Sequence, residues 1–209
     1  MVRSISEPSV KNSWISFVVL EATLLLTLGL ASPALGAKKK ERDPEELTNF
    51  LLSPRYSQWL VGPVARMATA EETKKYLSLQ VDEEAVAFVE GFWQTRGGSS
   101  VFAAQGPRAI FDARMKEADR IFSDGTFRGH RTDRGTIFVL YGEPDEMRFE
   151  EAPRGRGDFL EIWEYPKDTD KGLDDKKPER FYRFVKKGDR TVFYRGPLNR
   201  LQSGASIRQ

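Results

Sequence analysis

The chain predicts an α+β domain, with N-terminal helices packed on a C-terminal antiparallel sheet of about four strands. Helix-start signals and apolar stripes at helical spacing fall before Gly125. Short apolar runs bounded by glycine, proline and charged turns fall after it. Elements segregated in this way favour an antiparallel α+β arrangement over an alternating βαβ one.

The first segment stands apart. Arg3 and Lys11 precede an apolar run from Trp14 to Leu30, and Ala34-Leu35-Gly36 and Ala37 then lead into Lys38-Lys39-Lys40. A basic start, an apolar middle and a small-residue exit make a signal peptide over residues 1–37. The rival is an uncleaved anchor in the inner membrane over residues 14–30. That run is at the short end of what spans a bilayer, and it carries Glu21.

Residues 38–62 are expected to be a charged tether and short helices. Asp43-Pro44-Glu45-Glu46 reads as a helix start with Leu47, Phe50 and Leu51 as its stripe. Ser53-Pro54 repeats the signal ahead of Tyr56, Trp59 and Leu60. The domain proper is expected over 63–198, with a polar tail over 199–209. In it Val64 to Met67 reads as a short strand or a connector. Thr69-Ala70-Glu71-Glu72 is a capping-box pattern opening a helix through Leu77. Asp82 is the expected cap of the next helix, which runs to about Trp93. Gly97-Gly98-Ser99-Ser100 reads as a joint. Pro107 opens the strongest helix, closed by Gly125, with Phe111, Met115, Ala118 and Phe122 on its apolar face.

Four strands follow in the prediction. Thr136 to Tyr141 is continuously apolar between Gly135 and Gly142, the pattern of a buried central strand. Glu161 to Tyr165, Arg180 to Val185 and Arg190 to Tyr194 are the others, the last two joined by a hairpin turn at Lys186-Lys187-Gly188-Asp189. A six-residue central strand would hold the Gly129–Gly135 loop and the Gly142–Asp145 turn about 20 Å apart.

Charged residues make up 31% of the chain and the formal charge is +2, so nothing draws the whole molecule to nucleic acid. The absence of cysteine removes disulfides, thiolate metal sites and cysteine nucleophiles. His130 is the sole histidine, which excludes a multi-histidine zinc site. Glu143, Asp145 and Glu146 match no calcium-loop spacing, and no metal or cofactor is expected. There is no Gly-x-Ser-x-Gly elbow, and the glycines at 125, 129 and 135 follow a helix, whereas a phosphate loop precedes one. Arg154-Gly155-Arg156-Gly157 suits an anionic polymer. Trp163, Tyr165, Tyr182 and Tyr194 are either core residues or a stacking surface.

Asp133 has two readings. In a turn before a strand its carboxylate would accept backbone N–H bonds. Beside His130, three residues away, it would serve as the general base or ligand of a hydrolase.

Gly129, Thr132 and Asp133, followed by Arg134-Gly135, the run to Tyr141 and Gly142-Glu143-Pro144-Asp145-Glu146, resemble the GWxTD domain family, a set of exported bacterial proteins with no assigned activity. Glu161-Ile162-Trp163, Tyr165-Pro166 and an upstream Phe92-Trp93 with Arg96 extend the resemblance over roughly residues 65–194. His130 stands where the family has tryptophan. Gly97-Gly98 stands where members commonly carry an Arg-Asp-Pro continuation. The resemblance implies a fold and an exported, periplasmic or secreted location, and brings no mechanism. The expectation is a non-enzymatic binding or assembly module of the cell envelope, its partner another envelope protein or an envelope polymer. The alternatives are the Asp133–His130 hydrolase and a membrane-tethered accessory subunit.

Overall fold

The computed structural model describes residues 43–96, 104–152 and 159–196. The signal segment, the Gly97–Ser100 joint, the arginine-glycine loop at 154–157 and the polar tail lie outside them. Among the described residues five α-helices precede a four-stranded sheet: α1 Pro63–Met67, α2 Ala70–Leu77, α3 Asp82–Gln94, α4 Pro107–Ile121 and α5 Asp133–Tyr141, then β1 Glu146–Glu151, β2 Phe159–Glu164, β3 Phe181–Lys187 and β4 Arg190–Phe193. The sheet is an antiparallel meander in the order β1-β2-β3-β4. The α+β class holds, with helices first and sheet last.

Several local expectations fail. Thr136 to Tyr141 is the body of α5, a helix and not the central strand. An apolar run buried on all sides carries no period that separates strand from helix. The fourth strand is instead β1, whose sequence EMRFEE is mostly charged and exposed. It pairs with β2 from Glu146↔Glu164 to Glu151↔Phe159. Because α5 rises about 1.5 Å per residue, the two glycine-bounded ends of the motif are roughly 10 Å apart, closer than a strand would hold them.

Before α1 the helical signals yield less than expected. Only a short 3-10 turn forms, at Glu45–Leu47. Phe50 and Leu51 are exposed, and residues 54–62 are successive turns. Val64 to Met67 is helical. These segments are nevertheless anchored. Leu47, Leu52 and Leu60 are buried in the main core, and Asn49 donates to the carbonyls of Tyr76 (2.9 Å) and Leu79 (3.0 Å).

The predicted capping box of α2 is formed, Thr69 accepting from Glu72 N–H while the Glu72 carboxylate accepts from Thr69 N–H. Val81 caps α3, and Asp82 lies inside its first turn, accepting the Ser53 N–H at 2.9 Å. Helix α4 ends at Ile121, before Gly125, and it packs on α5.

One core joins helices and sheet. Its helical end is an aromatic chain from Trp59 and Tyr76 through Phe92 and Trp93 to Phe111, with ring centroids 4.9–5.2 Å apart. Its sheet end joins Phe122, Phe138, Trp163 and Phe184. Register places Trp163 opposite Tyr182 and Phe184 opposite Phe193, so these rings share the helix-facing side. The strand aromatics Trp163, Tyr165 and Tyr182 are therefore core residues. Tyr194 packs against a smaller cluster on the opposite face, formed by Leu160, Ile162 and Val185.

Candidate functional site

The Gly129–Asp145 motif is a joint between α4, α5 and the sheet. A 3-10 turn at Gly129–Arg131 leads into Thr132, which caps α5. The Thr132 hydroxyl donates to Gly129 O at 2.8 Å and accepts from Gly135 N–H at 3.1 Å. Only glycine fits at 129 and 135. A Cβ on Gly129 would overlap the Ala118 carbonyl of α4, and one on Gly135 would overlap the Gly129 carbonyl. The spacing of Gly129, Thr132 and Gly135 thus builds a close helix–turn–helix contact.

Asp133 follows the cap and accepts the backbone N–H of Phe193 in β4 at 2.6 Å. Its carboxylate does satisfy a backbone donor, but one sixty residues on in the sequence rather than in a local turn. Arg134 spans the layers. It bonds Asp124 at 3.0 Å and Glu161 of β2 at 3.1 Å. Glu161 also accepts the Trp163 indole N–H at 2.7 Å, and Asp124 accepts the Thr191 N–H of β4 at 2.8 Å.

At the far end of α5, Arg114 donates to the Val139 and Leu140 carbonyls, both at 3.2 Å. Gly142 terminates the helix at φ 85°, and its carbonyl accepts from the Tyr165 hydroxyl. The Tyr141 hydroxyl donates to Asp174 at 3.0 Å. Burial raises the pKa of Tyr141, Tyr165 and Tyr182 above the ordinary phenol value and raises that of the Asp174 carboxyl as well. Pro144 is half-buried and Asp145 exposed in the bend that leads to β1. Asp145 N–H donates to Glu164 O. Among the described residues no three of His, Asp and Glu gather as a metal-ligand group.

His130 turns away from Asp133. Its backbone N–H and its ring Nδ1 both meet the Asp119 carboxylate of α4, at 2.9 and 2.7 Å. Burial lowers its pKa below the ordinary value and outweighs the opposing pull of Asp119; the nearby Arg131 and Arg128 lower it further. That direction favours the neutral ring at pH 7, in which Nδ1–H donates to the Asp119 carboxylate. Asp133 and His130, three residues apart in sequence, are committed to different partners in β4 and α4.

His130 lines a cleft of about 360 Å³ where the 54–62 turns, α1, α3, α4 and residues 128–131 meet. Asp133 does not line it. The cleft combines an aromatic wall with four arginines, and sequence reasoning did not single it out. Its signal was faint. Arg128 and Arg131 flank His130, but Arg55 and Arg108 are brought in only by the fold. The upstream Phe92-Trp93 with Arg96 forms an anchor beside it. Arg96 lies over the Phe92 ring at 3.4 Å, pairs with Glu72 at 2.8 Å and donates to Met67 O.

No curated protein and no solved structure matches the chain. The family model described as the GWxTD domain matches residues 49–189, a span that holds the Asn49 anchor, the Phe92–Trp93–Arg96 corner, the α4–α5 joint and strands β1 to β3, and the chain belongs to that family.

Proposed function

We propose that this protein is a non-enzymatic binding or assembly module of the cell envelope that meets a partner protein along the β1 edge of its sheet. The observation that carries the reading is an exposed apolar strip at that edge. Met147, Phe149 and Phe159 are 57%, 69% and 63% exposed. Met147 lies opposite Trp163, and Phe149 opposite Glu161, so all three stand on the helix-facing side of the sheet where the helices leave it uncovered. A strand edge with apolar side chains on one face offers both backbone pairing and pockets to an extended partner segment. The motif residues favour the same reading, since Thr132, Asp133 and Arg134 are engaged in holding α5 to its neighbours.

The proposed location is export to the periplasm or beyond, supported by the basic, apolar and small-residue order of residues 1–37. Mass determination of the mature N-terminus tests it; an intact Met1 would favour a tethered subunit instead.

The edge is tested by in-cell photo-crosslinking from position 149, with position 50 as an equally exposed apolar control. One discrete protein adduct at 149, lost on Met147→Lys, is the expected result. Equal adducts at 149 and 50, or none at 149, would overturn the assignment.

A further inference from the structure

The cleft beside His130 has no assigned role, and its composition is specific. Trp59, Trp93, Phe111 and Met115 supply an apolar wall. Arg55, Arg108, Arg128 and Arg131 reach its lining from three separate parts of the chain. Among the described residues none of these four arginines has a carboxylate within ion-pair distance, whereas Arg96, Arg120, Arg134, Arg148 and Arg180 all do. Arg131 is held at 2.6 Å by the neutral amide oxygen of Gln58, and its Nε–H is buried with no acceptor. Glu90 and Asp112 also reach the lining, leaving it with a surplus of positive charge.

Four guanidinium groups against two carboxylates leave the lining net positive, and with no direct ion pair most of their N–H donors stay open to an incoming acceptor. Guanidinium groups match the oxygens of carboxylates and phosphates through paired N–H donors. The volume falls at the small end of ligand pockets, which run from about 300 to 1,000 Å³. An apolar wall with a few convergent polar groups is the usual make-up of such a pocket. We propose that this cleft is a binding site for a small monomeric amphipathic anion, with its carboxylate or phosphate head on Arg128 and Arg131 and its apolar body against Trp59 and Trp93. The site is separate from the β1 edge and stands whether or not that edge is an interface.

The chain supplies its own reporters. His130 is the sole histidine, so its imidazole gives one resolved NMR signal, and Trp59 and Trp93 line the cleft while Trp163 is buried elsewhere. The purified full chain is titrated with octanoate, octyl phosphate, octyl glucoside, inorganic phosphate and phosphatidylglycerol vesicles. Octanoate or octyl phosphate is expected to shift His130 and the Trp59 and Trp93 indole signals saturably while Trp163 stays in place. A site that recognises the head should bind octyl glucoside at least about tenfold more weakly. The Arg128→Gln/Arg131→Gln double variant should lose a similar factor. Arg108→Gln, on the exposed rim of α4, gives a second, milder loss in case the double variant unfolds.

Equal binding of octyl glucoside would reduce the cleft to an apolar hole. Equal shifts with inorganic phosphate would mean that the tail adds nothing. Binding to vesicles without binding to the monomers would make this a membrane surface. Each of these results, or no shift with any probe, overturns the proposal.

Discussion

Asp133 is where a chemical and a structural reading of the motif part. The structure places its carboxylate on the Phe193 N–H. Replacing it with alanine leaves that buried-edge donor without its acceptor and should cost about 1–3 kcal/mol, a fall of roughly 2–10 °C in melting temperature for a domain of this size. Asp133→Asn keeps an oxygen acceptor and should lose less than half as much. Thermal melts of the three proteins check this, and equal stability of parent and alanine variant would sink the clamp. His130 makes a second residue-scale prediction. Its folded pKa lies below the ordinary 6.5 because burial opposes the charge. The unfolded chain therefore binds this proton more readily, so stability is intact above about pH 6.5 and falls as pH drops through the window between 6.5 and the folded value. An NMR titration of the single imidazole should have its midpoint below 6.5. A midpoint above it would mean that Asp119 dominates the ring.

At the scale of elements, the instructive case is α5. Its run TIFVLY between two glycines has the composition of a buried strand, and period alone could not correct that. The information was in the four residues before it. Thr132 is a good cap, Gly135 supplies the N–H it accepts, and Asp133 carries negative charge into the first turn, all helix-start signals. In front of an apolar run with the composition of a strand, the same residues fit turn chemistry equally well. β1 was missed for the opposite reason. EMRFEE has the alternation of a strand, but its two apolar residues face solvent, so no hydrophobic run announced it. By contrast the capping box of α2 and the β3–β4 hairpin turn were legible, because each is fixed by residues next to one another. The cleft was not legible, since its arginines come from segments far apart in the chain. Arg134 tests how firmly α5 is tied to the sheet. Arg134→Met leaves Asp124 and Glu161, both largely buried, without their shared cation, which should cost about 3 kcal/mol. Adding Glu161→Gln removes one stranded charge while keeping an acceptor for the Trp163 indole, and should recover part of the loss. Urea unfolding measures both; a cost under about 0.5 kcal/mol for the single variant, the size of an ordinary surface change, would show that the bridge does not hold the layers.

The described residues belong to a single unit, Glu41–Gln209, and the continuity of its core has a consequence for the whole molecule. The aromatic chain that begins at Trp59 in the turns and passes through Phe111 of α4 belongs to the same cluster as Trp163 and Phe184 of the sheet. Asp133 and the Asp124–Thr191 bond tie the α4–α5 joint to β4, and Arg134 ties it to β2. Helices and sheet therefore have no seam along which to separate, and the unit should unfold in one transition. Far-UV circular dichroism reports both layers together. In a Trp14→Phe background, indole fluorescence can be assigned to one layer at a time, through Trp163→Phe for the helical side and a Trp59→Phe/Trp93→Phe pair for the sheet side. The midpoints from the three measurements should coincide in urea, and Arg134→Met should move them together. If the helical layer melted first, with Trp163 still buried at a separate midpoint, the sheet would be an independent folding unit. The α4–α5 joint would then be a hinge between two bodies, and the motif's close glycine contacts would have to be explained by motion instead of by rigidity.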